Sequence, residues 1–232
     1  MTARSRLLET YLDGLILYYP FHEGAGAFAE DLSPFKRYGT ITNCAWATGP
    51  LEEALLFSSA ADDHVDTPSF VLASATNCLT FTFWVNCATI PFPFGTIFNS
   101  NGEINSPCFF IDREDDDLWV GFYNSSTINV VVFGLGVFGA PFDNVWVHFA
   151  IVVDFTVFDI DWYRNGIYLG KHPDGGGPGW VFPNHSGIKR LGQTTGGTNK
   201  YNGYIDEFRI FDRALTAAEV FQDYYKAARQ HY

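Results

Sequence analysis

"YIDEFRIFDRALTAAEV", residues 204–220, decides the fold. Its first half reads as a charged strand, and Asp212-Arg213 reads as a tight turn out of it. Thr216 then stands three residues before Glu219, a capping box in which each satisfies the other's orphan backbone donor at a helix start. The helix that follows, "AAEVFQDYYKAAR", stands alone behind a long series of strands. A single helix in that place closes a β-structure and does not belong to a βαβ series.

Upstream the pattern is strands throughout. "CLTFTFWVNC" (78–87) alternates strictly, with Leu79, Phe81, Phe83 and Val85 on one face and Thr80, Thr82, Trp84 and Asn86 on the other. "PCFFIDREDDDLWVGFY" predicts a hairpin whose turn holds the charges, including Asp112, Glu114 and Asp116. "INVVVFGLGVFG" and "WVHFAIVVDF" are further strands, and "VFDIDWYRNGIYLGK" bends at Asn165-Gly166, a hairpin dipeptide. "LILYYPF" (15–21) is a strand that Pro20 ends or places at an edge. "GTITNCAW", "EALLFSS", "IKRLGQ" and "GYIDEFRIF" complete the set. "HEGAGAFAEDLSPFKRYG", "ADDHVDTPS" and "HPDGGGPGWVFPNHSG" are loops. Roughly a dozen short strands without a repeat or linker predict one all-β sandwich or jelly roll.

That domain is expected over residues 15–232. Ahead of it, residues 1–14 form a short amphipathic helix with Leu7, Leu8, Tyr11 and Leu12 on one face and Gly14 at its end. The stripe needs a partner surface, either a neighbouring subunit or the chain's own sandwich.

Charge narrows the function classes. Fourteen basic against 26 acidic residues give a net charge of −12, which excludes a nucleic-acid binder built on phosphate contacts and disfavours anionic membranes. No apolar run reaches the roughly 20 residues of a spanning helix, so no membrane insertion is expected. "MTARSRLLETYLDG" lacks the apolar core of a secretory signal, which predicts synthesis in a cytosol. Cysteines 44, 78, 87 and 108 show no C-x-x-C spacing. Cys78 and Cys87 bracket a strand about 30 Å long, beyond the roughly 7 Å a disulfide spans. Four free thiols are expected.

"YNGYIDEFRIFDRALTAAEV" resembles the closing signature of the laminin G-like, concanavalin A-like jelly rolls, the pentraxin-related superfamily. "YYPFHEGAG" with Asp31, Ala54-Leu55 before Phe57, Asp63 with Val65, "FTFWV", "WVHFAIVVD" and "WYRNG" follow in family order. The resemblance implies a concanavalin A-like jelly roll that binds glycans or protein partners. It also implies a calcium ion at the sandwich edge, held by Asp31, Asp206 and Glu207; no other cofactor is expected. Relatives follow that Asp with a Ser-Gly-Asn run, whereas this chain has "DLSPFKRYG". The "ADDHVD" loop is a second calcium candidate.

Glucanases of this fold carry E-x-D-x-E on one strand, aiming two carboxylates at the sugar. Here no two glutamates stand four apart, and Asp112, Glu114 and Asp116 only imitate the spacing. No catalytic residue is assigned. His148 reads as a hydrogen-bonded structural histidine, and His172 and His185 accompany no nucleophile motif. For glycan binding the candidates are Trp180, Asn184 and His185. An indole between Gly and Pro either stacks on a sugar or folds back to anchor its own loop. The expectation is a non-catalytic structural or adhesion module of a virion surface, such as a phage decoration or tail-associated protein. It would pack on other virion subunits, oligomerise through Leu7, Leu8, Tyr11 and Leu12, and engage glycans. A secreted or cell-surface lectin module is the alternative, and a glycoside hydrolase is disfavoured.

Overall fold

The computed structural model describes residues 13–88, 94–100, 108–114, 117–124, 127–133, 143–157, 159–173 and 186–228. The N-terminal helix with Leu7, Leu8, Tyr11 and Leu12, and the glycan candidates Trp180, Asn184 and His185, lie outside the described residues. The first eight strands are β1 (Leu15–Tyr19), β2 (Phe28–Ala29), β3 (Gly39–Thr42), β4 (Ala45–Thr48), β5 (Glu53–Phe57), β6 (His64–Asp66), β7 (Cys78–Cys87) and β8 (Phe94–Asn99). They continue as β9 (Cys108–Glu114), β10 (Asp117–Asn124), β11 (Thr127–Phe133), β12 (Trp146–Asp154), β13 (Asp159–Arg164), β14 (Ile167–Pro173), β15 (Arg190–Leu191) and β16 (Gly203–Phe211). A single described helix, α1 (Ala217–Ala228), follows.

The strands form two eight-stranded sheets. One runs β14-β13-β12-β7-β16-β5-β4, with β1 also paired to β16; the other runs β11-β10-β9-β8-β15-β6-β3-β2. The expected alternation of β7 places Leu79, Phe81, Phe83 and Val85 between the sheets, all fully buried. Phe81 stacks on Phe109 of the opposite sheet with centroids 4.6 Å apart, and Phe98 stacks on Phe208 at 5.5 Å. Aromatic rings thus bridge the two layers, where each large side chain removes considerable apolar area from water.

The other face of β7 is buried as well. Leu15, Ala150, Val152, Tyr163, Phe211, Leu215 and Val220 make a second cluster, and Trp84 stacks on Tyr224 at 5.6 Å. So α1 covers the outer face of the first sheet. The capping box is present: Glu219 N–H donates to Thr216 Oγ1 (3.3 Å) and Thr216 N–H to Glu219 Oε2 (2.8 Å). Thr80 Oγ1 accepts from Leu215 N–H and donates to Arg213 C=O, fixing the turn that launches the helix.

Two further readings need correction. "GTITNCAW" is not one strand: Asn43 takes the left-handed conformation (φ 57°), and the chain passes from β3 in one sheet to β4 in the other. The charged hairpin begins its turn only after Glu114, so Asp112, Arg113 and Glu114 lie within β9. Asn165-Gly166 does form the predicted turn, with φ of 50° and 74°. Among the described cysteines, Cys44, Cys78 and Cys87 are free thiols; the Cys108 side chain lies outside the described residues. No described helix is long and apolar enough to cross a membrane.

The chain enters and leaves the sandwich at one place. Leu15 pairs with Phe211, Asp212 N–H donates to Gly14 C=O, and Arg213 Nε donates to Asp13 C=O.

Candidate functional site

The first sheet splits along β16. On one flank β5 pairs with Gly203 to Ile205, and β1 pairs with Phe208 to Phe211. Asp206 and Glu207 sit where those neighbours part. Against β7 the register shifts between Asp206 and Arg209, and Glu207 holds a left-handed φ of 53°. An extra residue in one strand leaves a bulge that re-aims side chains, and a non-glycine residue held there stores about 1 kcal/mol or more. The bulge reverses the strand's parity. Ile205 faces the core before it, and Phe208 and Ile210 face the core after it.

Glu207 is the hub. His22 Nε2 lies 3.0 Å from its Oε1, Tyr18 O–H reaches both oxygens at 3.0 and 3.1 Å, and Arg209 pairs with Oε2. Arg209 stacks over the Tyr18 ring at 3.9 Å and reaches Asp223 of α1 at 3.5 Å. Asp223 in turn meets His148 Nε2 at 3.1 Å. The result is a chain of polar contacts, His22–Glu207–Arg209–Asp223–His148, half-buried at His22 and buried beyond it, running from the split through the sheet to the helix. Burial pushes the Glu207 carboxyl up, but Arg209 and His22 outweigh it and hold the group below its usual range. Burial lowers His22, yet its bond to Glu207 leaves it above the ordinary imidazole value. His148 is the structural histidine that its strand setting predicted, buried against Asp223.

Asp206 is differently placed. Its Oδ1 accepts the Glu207 N–H, while its fully buried Oδ2 has no hydrogen-bond partner. A Cβ at Gly49 would stand 2.9 Å from that oxygen, so only glycine lets the turn between β4 and β5 approach it. Burial first, and the neighbouring Glu207 charge second, push Asp206 up to about 9; Glu23 adds to the repulsion. Glu23 Oε2 is likewise buried without a partner. His22, Asp206 and Glu207 bring one ligand atom each within 4.8 Å of one another. An unpartnered buried carboxylate oxygen within this trio, Asp206 Oδ2, with the Glu23 charge acting on the same group, is the kind of donor that a divalent cation neutralises.

The expected third calcium ligand, Asp31, is not in the trio. Its Oδ1 accepts from Tyr18 and Ser33 N–H, and its Oδ2 from Ser33 Oγ and Arg37 N–H. It staples its own loop to β1. In "ADDHVD", Asp62 accepts from Gln193, Asp66 pairs with Arg190, and Asp63 Oδ2 accepts from Ser58 N–H while its Oδ1 is buried without a partner. His22 and Glu23 went unnoticed in the sequence, though both lie in the quoted "YYPFHEGAG".

Asp112 departs from the sequence reading too. On β9 it is 6% exposed, and burial, countered by Thr96 and reinforced by Glu114, pushes its carboxyl up to about 7. It is not in an exposed turn. Its partner strands are β8, through Thr96, and β10, through Trp119.

Two antiparallel sheets, a closing strand with a capped helix and a carboxylate pair at the sheet split define a concanavalin A-like jelly roll. The chain belongs to the laminin G family described as the concanavalin A-like lectin/glucanases superfamily, which matches residues 59–221. In fold it is similar to the receptor-binding domain of botulinum neurotoxin type G, with TM-score 0.70 and 13% identity over 92% of this chain and 51% of that one. It is also similar to the binding domain of Paraclostridial mosquitocidal protein 1 (TM-score 0.70, 15% identity, 92% and 52%). A third likeness is to a structure entitled "Cell entry of botulinum neurotoxin type C is dependent upon interaction with two ganglioside molecules" (TM-score 0.69, 15%, 95% and 53%). The chain therefore spans about half the length of these structures. No curated protein matches it in sequence.

Proposed function

We propose that this chain is a non-catalytic binding module that attaches to glycan or protein surfaces with the help of a divalent cation. One observation carries the reading: Asp206 Oδ2 is buried without a partner beside Glu207 and His22, at a split in the sheet. Asp206 and Glu207, joined by Glu23, would hold the ion, and calcium is the ion the family resemblance implies. Bound there, it would supply a fixed positive charge for a hydroxyl or carboxylate of a ligand to meet. Several solved structures of similar fold are titled as binding domains, one of them in complex with synaptotagmin, and a further title names gangliosides, which supports adhesion over catalysis. The virion surface is the proposed setting, with other virion subunits or further copies as partners; an acidic surface keeps such subunits soluble before assembly.

Calcium at about 100 times its dissociation constant stabilises by about 2.7 kcal/mol, so the melting temperature should rise by roughly 5–10 °C for a domain of this size. Asp206→Asn should abolish the rise. An unchanged melting curve in calcium, together with no metal by elemental analysis, would remove the ion from this reading. Glycoside hydrolysis is the second reading, favoured by Asp112 with its carboxyl near 7 and Glu114 two residues away on β9. Turnover of laminarin that is lost in Asp112→Asn would establish it.

A further inference from the structure

The loop that departs from the family pattern, "DLSPFKRYG" (31–39), is built around cations that have no carboxylate partner. Arg37 lies with its guanidinium 4.1 Å from the Phe35 ring centroid and 4.3 Å from that of Phe70. Lys189 lies 5.0 Å from the Phe70 centroid and donates only to the Phe70 and Gly187 carbonyls. Lys36 reaches only the Asp31 carbonyl. None of the three makes an ion pair among the described residues, whereas Arg113, Arg190, Arg209 and Arg213 all do. In a chain of net charge −12, two cations on one aromatic ladder, with Lys36 beside them in sequence, form a local positive site. Burial chiefly, and the Arg37 charge next, lowers Lys189 to about 8.

The site is preorganised. Asp31 ties the loop with four hydrogen bonds, so its carboxylate is committed to the loop's own donors. The Phe35 and Phe70 rings both lie against the Arg37 guanidinium, so its N–H edges are the positions for hydrogen bonding. Among its side-chain donors one, Nη1, is bonded, to Ile16 C=O. An edge held this way matches a planar carboxylate. Around it stand apolar groups facing water: Leu32 is 41% exposed, Phe35 54% and Tyr38 49%. Phe28, at 66%, stands on the same outer side, because Ala29 pairs with Gly39 across the β2–β3 ladder and both neighbours face out.

We propose that the Leu32–Tyr38 loop, backed by Phe70 and Lys189, is a binding site for an acidic saccharide, whose carboxylate meets Arg37 and Lys36 while a sugar face lies on Phe35 or Tyr38. The proposal rests on the glycan-binding reading above and names its ligand class and residues. An acidic sugar is favoured over an anionic bilayer by scale. A single carboxylate feels the local cations, whereas a charged membrane plane meets the field of the whole acidic chain. Pyranose rings also offer the apolar faces that isolated exposed aromatics stack upon.

Isothermal titration with sialyllactose and a trigalacturonate, against neutral lactose, tests it. The acidic probes should bind with at least 10-fold preference over lactose. Lys36→Ala and Phe35→Ala, both at exposed positions, should each weaken them 5-fold or more without shifting the melting temperature, and Arg37→Met should abolish binding. If lactose binds as well as the acidic probes and none of the variants matters, the loop assignment is wrong while the glycan reading stands. If no saccharide binds, the loop assignment falls together with the glycan half of that reading, leaving protein surfaces. Binding of phosphatidylserine vesicles that needs Phe35 and Lys36, without saccharide binding, would replace the sugar by a lipid surface.

Discussion

Replacing Arg209 by leucine is expected to cost about 3–5 kcal/mol of folding stability, the range for removing one member of a buried ion pair. The guanidinium is 5% exposed and stands between Glu207 and Asp223, each only 2% exposed. Without it two carboxylates remain in a low-dielectric interior, stripped of the one guanidinium that meets them both. Chemical denaturation should show the loss, and the melting temperature should drop by roughly 10 °C. Arg209→Lys should recover only part of it, because an ammonium lacks the fork that reaches both acids. Adding Asp223→Asn to Arg209→Leu should recover part of the loss, since it removes a buried charge that has lost its Arg209 partner. A loss below about 1 kcal/mol in the single variant would show that the network is not a structural keystone.

The second large effect is a pH dependence centred on Asp112. Its carboxyl is raised to about 7 in the folded protein against an ordinary value of 3.8. A raised folded value means that the native state binds the proton more tightly. The stabilisation is therefore full below about pH 4 and is lost as pH climbs to 7. At about 1.36 kcal/mol per unit, roughly 4 kcal/mol is at stake. Asp112→Asn mimics the protonated acid, so it should flatten the stability profile between pH 4 and 7 and raise the melting temperature at pH 8. A wild-type profile that is already flat over that window would mean that the carboxylate is solvated or paired in solution.

Strand alternation made the core of β7 legible, and the spacing of Thr216 and Glu219 made the helix start legible, because both are local patterns. The bulge at Glu207 left a trace as well. Ile205 and Phe208 cannot share a face of a regular strand, so the switch in apolar parity demanded an extra residue between them. That signal was readable but hidden by treating "YIDEFRIF" as uniform. The burial of Asp112 and Arg113 was not readable, since a run of charge ordinarily marks a solvated turn. Only tertiary partners, Asp143 and the Ala88 carbonyl for Arg113, keep those residues inside a strand. Asp31 shows the opposite case. The family position was recognisable, but whether its oxygens serve an ion or its own loop depends on backbone donors that the sequence does not display.

The common doorway of the sandwich, where Leu15 faces Phe211 and Asp13 meets Arg213, has a mechanical consequence. Tension entering through Leu15 and leaving through Phe211 acts on the same end of an antiparallel pair. Its rungs would open one after another, as a zipper does, and would not share the load in shear. Pulled by those two points, the module should yield first at β1, a low-force step in single-molecule stretching. The release of β1 would carry Tyr18 and His22 away from Glu207, so tension would loosen the carboxylate cluster before the body of the sandwich gives way.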